Sequence, residues 1–201
     1  MTASAWRQER RKELAQLREG ISLADRALLD AAIMRHLDSI MADRSTSCIA
    51  VYWPLPGEPD LRDWYQKIAA SGARVALPAV VERQQALEFR RWDLAQPLVR
   101  DTLNIPCPGP AEPVIPDTIV ASCLGFDPQG FRLGSGGGYY DRTLAGLEKP
   151  PLMIAVAYEQ QRLHSIRPES HDIPADFIVT DKRVYSRQQK SVEKEPGPVA
   201  S

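Results

Sequence analysis

The stretch from Gly125 to Arg142 reads GFDPQGFRLGSGGGYYDR. Six glycines (Gly125, Gly130, Gly134, Gly136, Gly137 and Gly138), two arginines and two aspartates lie between the apolar run Thr118–Leu124 and a segment that starts like a helix at Tyr139. Glycine at this density weakens regular structure, so its use is backbone at positive φ or backbone in close approach to a ligand. Consecutive glycine amides followed by a helix N-terminus form a concavity of N–H donors with partial positive charge, and Arg132 adds a charged fork, so the expected ligand is an anion. A second apolar run, Leu152–Tyr158, follows the helix. Strand, glycine turn, helix, strand is a βαβ unit and predicts an α/β fold with a mainly parallel sheet covered by helices.

Two common phosphate loops are excluded. No lysine follows the glycines, as a Walker A loop requires, and Tyr139 stands where G-x-G-x-x-G needs its last glycine after Gly134 and Gly136.

A chain of 201 residues with 43% hydrophobic content suits one domain, expected over residues 1–185, with a disordered polar tail over 186–201. With 25 basic and 26 acidic residues the net charge is −1, so nothing global draws the chain to nucleic acid or to a membrane. Any anion site must be local. No apolar run nears spanning length and the polar N-terminus lacks the apolar centre of a secretion signal, which predicts a cytoplasmic protein, with a monomer as the default state. Cys48, Cys107 and Cys123 have no C-x-x-C spacing and are expected to be reduced structural thiols without zinc.

A first helix is predicted from about Ala5 to Glu19, with Trp6, Leu14, Leu17 and then Ile21 at helical spacing and Arg7, Arg11 and Arg18 together on one face. Taken alone it reads as a solvated basic helix. Ser22 suits the N-cap of a second helix to about Met41, with Leu29, Ile33, Leu37 and Ile40 as its buried stripe and His36 on a polar side. Ser47–Tyr52 reads as a buried parallel strand. The proline-rich turn after it places Trp53 and Glu58 beyond a strand's carboxyl end, where α/β sheets bind ligands. Asp60 is expected to cap a third helix to about Ala70, and Arg-Val-Ala-Leu-Pro then gives a second strand. Leu87–Trp92 reads as a more exposed strand with solvated Arg90 and Arg91, and six prolines between Pro97 and Pro116 predict an extended connection. Phe177–Thr180 is expected to be the final strand.

The string R-L-G-x-G-x-G-Y-Y-D, after F-D-x-x-G, resembles the signature of the 5-formyltetrahydrofolate cyclo-ligase family, also called methenyltetrahydrofolate synthetase. The resemblance extends to about Tyr185 and implies a three-layer α/β/α architecture. It further implies that ATP phosphorylates the formyl oxygen of 5-formyltetrahydrofolate, after which N10 closes the ring to 5,10-methenyltetrahydrofolate. The family opens with two cations that hold nucleotide phosphates, and these positions fall on Arg7, in place of the usual lysine, and Arg11. The implied ATP site is Arg7, Arg11, Arg132, Leu133, Gly134, Ser135, Gly136, Gly137, Gly138, Tyr139 and Tyr140, with Arg132 and Arg11 catalytic. The implied folate site is Trp53 and Glu58 together with Ser135, Gly136, Gly137, Gly138 and Tyr139. Ser122 stands where the family usually has proline, and Ile166-Arg167-Pro168-Glu169 replaces its L-P-V-E segment.

Asp141 and Asp172 fall on separate loops, and hard carboxylate oxygens beside phosphates suit Mg²⁺. Each has a plainer reading: Asp141 as an acid in the first turn of a helix, Asp172 as a turn residue. No Ser-His-Asp, Cys-His or paired-acid arrangement stands out, so the expected chemistry is phosphoryl transfer by positioning and charge neutralisation. The alternative from another class is a non-catalytic folate- or nucleotide-binding module.

Overall fold

The apolar runs pair into a seven-stranded sheet in the computed structural model, which describes residues 2–187. Two helices lead the chain, α1 (Ala3–Glu19) and α2 (Leu23–Met41). They are followed by β1 (Cys48–Ala50), α3 (Arg62–Ala70), β2 (Arg74–Ala79), β3 (Glu88–Arg91), β4 (Leu98–Arg100) and β5 (Pro106–Pro108). The second half contains β6 (Thr118–Ser122), β7 (Gly125–Phe126), β8 (Arg132–Leu133), α4 (Tyr139–Gly146), β9 (Leu152–Val156), β10 (Phe177–Val179) and β11 (Val184–Ser186). The sheet order is β11-β10-β9-β6-β1-β2-β3. Its five inner strands are parallel, while β3 and β11 run antiparallel at the edges.

Alternation along the strands divides the core into two layers. On one face Ile49, Val75, Val120, Ile154 and Val156 pack with Ile33 and Leu37 of α2 and with Trp64 and Tyr65 of α3. On the other, Ala50, Ala76, Ala121 and Ala155 form a row of small side chains, leaving room for Phe126, Tyr185 and the α4 residues Tyr140 and Leu144. This is an α/β/α arrangement. A smaller cluster, Leu14 with Leu133 and Ile166, joins α1 to the glycine segment.

Several expectations need correction. The arginine face of α1 is not solvated: Arg7, Leu14 and Arg18 are its buried residues, while Leu17 is exposed. An amphipathic pattern does not reveal which face turns inward when the basic face has buried acidic partners. The cap position of α3 falls on Leu61, although Asp60 accepts from the Arg62 N–H and pairs with its guanidinium. Arg90 is buried, donating to Pro108 O and Glu88, because β4 and β5 form an antiparallel hairpin across the proline-rich segment predicted to be merely extended. His36 is half-buried, its Nδ1 2.8 Å from Thr180 O. The chain does not end its sheet at Phe177–Val179, since β11 adds an antiparallel edge strand. Ser186, the expected start of the disordered tail, belongs to β11, and the predicted tail lies outside the described residues from 188 onward. Among the described residues no helix is long and apolar enough to cross a membrane.

Candidate active site

The carboxyl ends of β1, β2 and β6 open onto a cavity of about 460 Å³. Every residue assigned above to ATP, folate or metal lines it: Arg7, Arg11, Trp53, Glu58, Arg132–Asp141 and Asp172. They come from four separate segments, and the parallel sheet is what brings these together.

The glycine loop forms the floor. β7 and β8 make a small antiparallel hairpin, so Arg132 and Leu133 leave an anchored strand and enter the turn in a fixed direction. Leu133 is fully buried and holds the hairpin down. Gly136 has φ +102° and Gly138, at the N-cap of α4, has φ +63°, a region L side chains rarely adopt. Among the described residues the amides of Ser135, Gly136, Gly137 and Gly138 donate to no protein acceptor. A Cβ added at Gly134 meets nothing within 4 Å, so the backbone there borders open space. Unclaimed donors around open space at a helix N-terminus have the geometry and polarity that suit an anion.

Cations and carboxylates are arranged around this floor. Arg11 Nε donates to Gly134 O at 2.8 Å, tying α1 to the loop. Burial first, and the neighbouring Arg7 charge second, lower the Arg11 pKa. Arg7 donates to Arg167 O at 2.8 Å and to the Asp172 carboxylate. Arg132 donates to Asp141 Oδ1 at 2.8 Å and to Ile173 O. Burial pushes the Asp172 carboxyl up, but the Glu169 N–H and Arg7 outweigh it and hold it below the usual range. Neither aspartate is a plain surface acid, since both join the α1 and glycine segments to the 167–173 loop. Asp141 Oδ2 and Asp172 Oδ1 accept no hydrogen bond among the described residues.

At the far end Glu58 is fixed by two hydrogen bonds, Oε1 from Ser122 Oγ at 2.7 Å and Oε2 from Leu55 N at 2.9 Å. Trp53 lies edge-on to Trp92, with the Arg62 guanidinium 5.5 Å above its ring. Tyr139 carries the Arg142 guanidinium over its ring and reaches Gln84 N, whereas Tyr140 packs toward the alanine face of the sheet. Burial pushes the Tyr140 phenol up, so it is neutral at physiological pH. Cys123 also lines the cavity, but burial drives its thiol up to about 12, which removes it as a nucleophile. Gln161 is fully buried, donating to Leu124 O and accepting from Tyr158 N, so it braces the turn before the hairpin and does not face the cavity.

Sequence reading missed one wall of the site. Leu103 and Ile105 line the cavity from the β4–β5 loop, where Asp101 accepts from the amides of Val80, Leu103 and Ile105. The signal was an Asx-type turn, D-x-x-N, with Asn104 at φ +63°.

A parallel α/β sheet with a glycine-floored, arginine-lined cavity at its strand ends places the protein in the class of α/β proteins that take a small ligand at the switch point. Residues 3–181 match the 5-formyltetrahydrofolate cyclo-ligase family, and the chain belongs to that family of enzymes. Among relatives, it is 26% identical to a 5-formyltetrahydrofolate cyclo-ligase of Haemophilus influenzae over 86% of this chain and 97% of that one. It is 30% identical to one of Escherichia coli over 68% and 79%. The fold superposes on the 5,10-methenyltetrahydrofolate synthetase of Aquifex aeolicus with a TM-score of 0.80 and 27% identity, covering 95% of this chain and 97% of that one.

Proposed function

We propose that the protein converts 5-formyltetrahydrofolate to 5,10-methenyltetrahydrofolate, using ATP and Mg²⁺ and releasing ADP and phosphate. Residues 1–185 are taken as one domain acting in the cytoplasm as a monomer. The observation that carries the reading is the convergence of an unclaimed amide cradle, three arginines and a doubly anchored carboxylate on one cavity.

The triphosphate end of ATP is received by the amides of Ser135–Gly138, with Arg7, Arg11 and Arg132 around it. Glu58 keeps a lone-pair direction on each oxygen after its two protein bonds. It can therefore accept the two parallel N–H donors of a pterin edge, while Trp53 offers an aromatic surface to the flat substrate. The substrate's formyl oxygen is a weak nucleophile, so its alignment with the γ-phosphorus is the main task. As the new P–O bond forms, the bond to ADP breaks, and Arg132 and Arg11 stabilise charge on the transferring group. N10 then attacks the formyl carbon, phosphate leaves with the formyl oxygen, and N10 gives up its proton.

The donor set fits a hard divalent cation. Asp141 and Asp172 each retain one oxygen without a hydrogen bond, and Mg²⁺ commonly takes one or two carboxylates beside phosphate oxygens and water. Bound there, it would neutralise charge on the β- and γ-phosphates.

Incubating the purified protein with 5-formyltetrahydrofolate, ATP and Mg²⁺, and following the absorbance of the methenyl product, tests the reading. Product should form and should stop on chelation. Tight binding of both ligands without product would assign the non-catalytic module instead.

A further inference from the structure

Glu58 lies between a hydroxyl that binds it and a guanidinium that does not reach it. Ser122, at the end of β6, donates its hydroxyl to Oε1 at 2.7 Å. Behind it lies Arg18 of α1, whose Nη1 is 3.7 Å from the same oxygen, too far for a hydrogen bond. The Arg18 side chain is only 10% exposed, and its Nε and Nη1 are buried without a hydrogen-bond partner. A buried guanidinium with idle donors next to a carboxylate pulls that carboxylate toward itself. The loop carrying Glu58 passes close to it, since a Cβ added at Gly57 would stand 3.1 Å from Arg18 Nε.

We propose that Ser122 is a positioning residue for the folate substrate: its hydroxyl holds the Glu58 carboxylate on the cavity side, against the pull of Arg18. This rests on the reading that Glu58 meets the pterin. Without the hydroxyl, Oε1 closes the gap to Arg18 and forms a direct ion pair, and the acceptor pair turns away from the cavity. Ser122 lies on the folate side, whereas Arg11 and Arg132 border the glycine floor, so its loss should separate the two substrates. The mechanism needs only a hydroxyl at this position, which Thr also supplies.

The experiment compares wild type, Ser122→Ala, Ser122→Thr and Glu58→Gln for KM and kcat with each substrate, and for direct binding of 5-formyltetrahydrofolate, with thermal melting as the control for folding. A hydrogen bond to a charged group is worth about 1.5–3 kcal/mol, so Ser122→Ala should raise KM and Kd for 5-formyltetrahydrofolate roughly tenfold or more. Its KM for ATP should stay unchanged, and Ser122→Thr should restore the folate constants to near wild type. If Ser122→Ala binds folate like wild type while Glu58→Gln binds it weakly, the positioning role is overturned and the pterin site stands. If Glu58→Gln also binds like wild type, the pterin assignment fails and the inference falls with it. An equal loss of affinity for both substrates in Ser122→Ala, unrestored by Thr, would show a general structural role and likewise overturn it.

Discussion

Arg132 donates to Asp141 at 2.8 Å, closing the glycine loop end to end, from the strand that enters it to the helix that leaves it. The same guanidinium donates to Ile173 O, so one planar fork fastens the loop to the segment that carries Asp172. The Arg132 side chain is only 6% exposed, which makes it part of the fold as well as of the site.

On the proposed reaction, Arg132→Ala would mix two effects, a lost transition-state contact and an Asp141 carboxylate stripped of its cation. The clearer substitution is Arg132→Lys, which keeps the charge but cannot bond Asp141 and Ile173 O together as the fork does. We expect kcat to fall by about 10²–10³, the magnitude seen when a preorganised charge-stabilising donor is lost, with a melting temperature lower by only a few degrees. Steady-state kinetics beside calorimetry checks this, and wild-type kcat in the Lys variant would reassign the arginine to structure alone.

The Arg7–Asp172 pair predicts a pH dependence of stability. Asp172 has a folded-state pKa below its unfolded value, so its contribution is present above the ordinary carboxylate range, near pH 4, and is lost as pH falls through the depressed value. Asp172→Asn should be less stable than wild type by about 1–3 kcal/mol at neutral pH, and the two should converge under strongly acidic conditions. Denaturant melts from pH 7 to pH 2 measure the gap; a gap that widens toward acid contradicts the assignment.

Two glycines of the cradle should respond differently to alanine. Gly136 sits at φ +102°, where a Cβ is strained by about 1–2 kcal/mol and would lie 3.4 Å from the Arg11 guanidinium. Gly134 has open space where its Cβ would stand. Gly136→Ala should lose both stability and ATP affinity, while Gly134→Ala should melt like wild type and lose ATP affinity only. Calorimetry and ATP titration of the two variants separate ligand space from backbone strain, and full ATP affinity in Gly134→Ala would mean that the open space is not the phosphate site.

Trp53→Ala removes an aromatic wall shared with Trp92 and the cation stacked above it. It should weaken 5-formyltetrahydrofolate binding by about 1–3 kcal/mol, roughly the worth of a stacked ring, and leave ATP binding unaffected. Unchanged folate affinity would argue that the pterin lies elsewhere in the cavity.

The sequence by itself determined whatever depends on neighbours along the chain. Apolar runs of strand length, the glycine turn and the helix after it specify a βαβ unit, because strand alternation, positive φ and helix starts are local steric matters. The floor of the cavity was legible for the same reason, since it is one contiguous string from Arg132 to Asp141, whereas walls such as Pro78, Val80, Leu87, Leu103 and Ile105 were not. Only the tertiary structure decided which charge meets which. Arg7 and Asp172 are 165 positions apart, Tyr158 and Asp30 are 128 apart, and Ser122 and Glu58 are 64 apart. Nothing in the local pattern joins them. It likewise decided that α1 turns its arginines inward, because a helix face rich in cations is stable against water or against largely buried carboxylates, and only the folded chain brings the loops carrying Glu58 and Asp172 to that face.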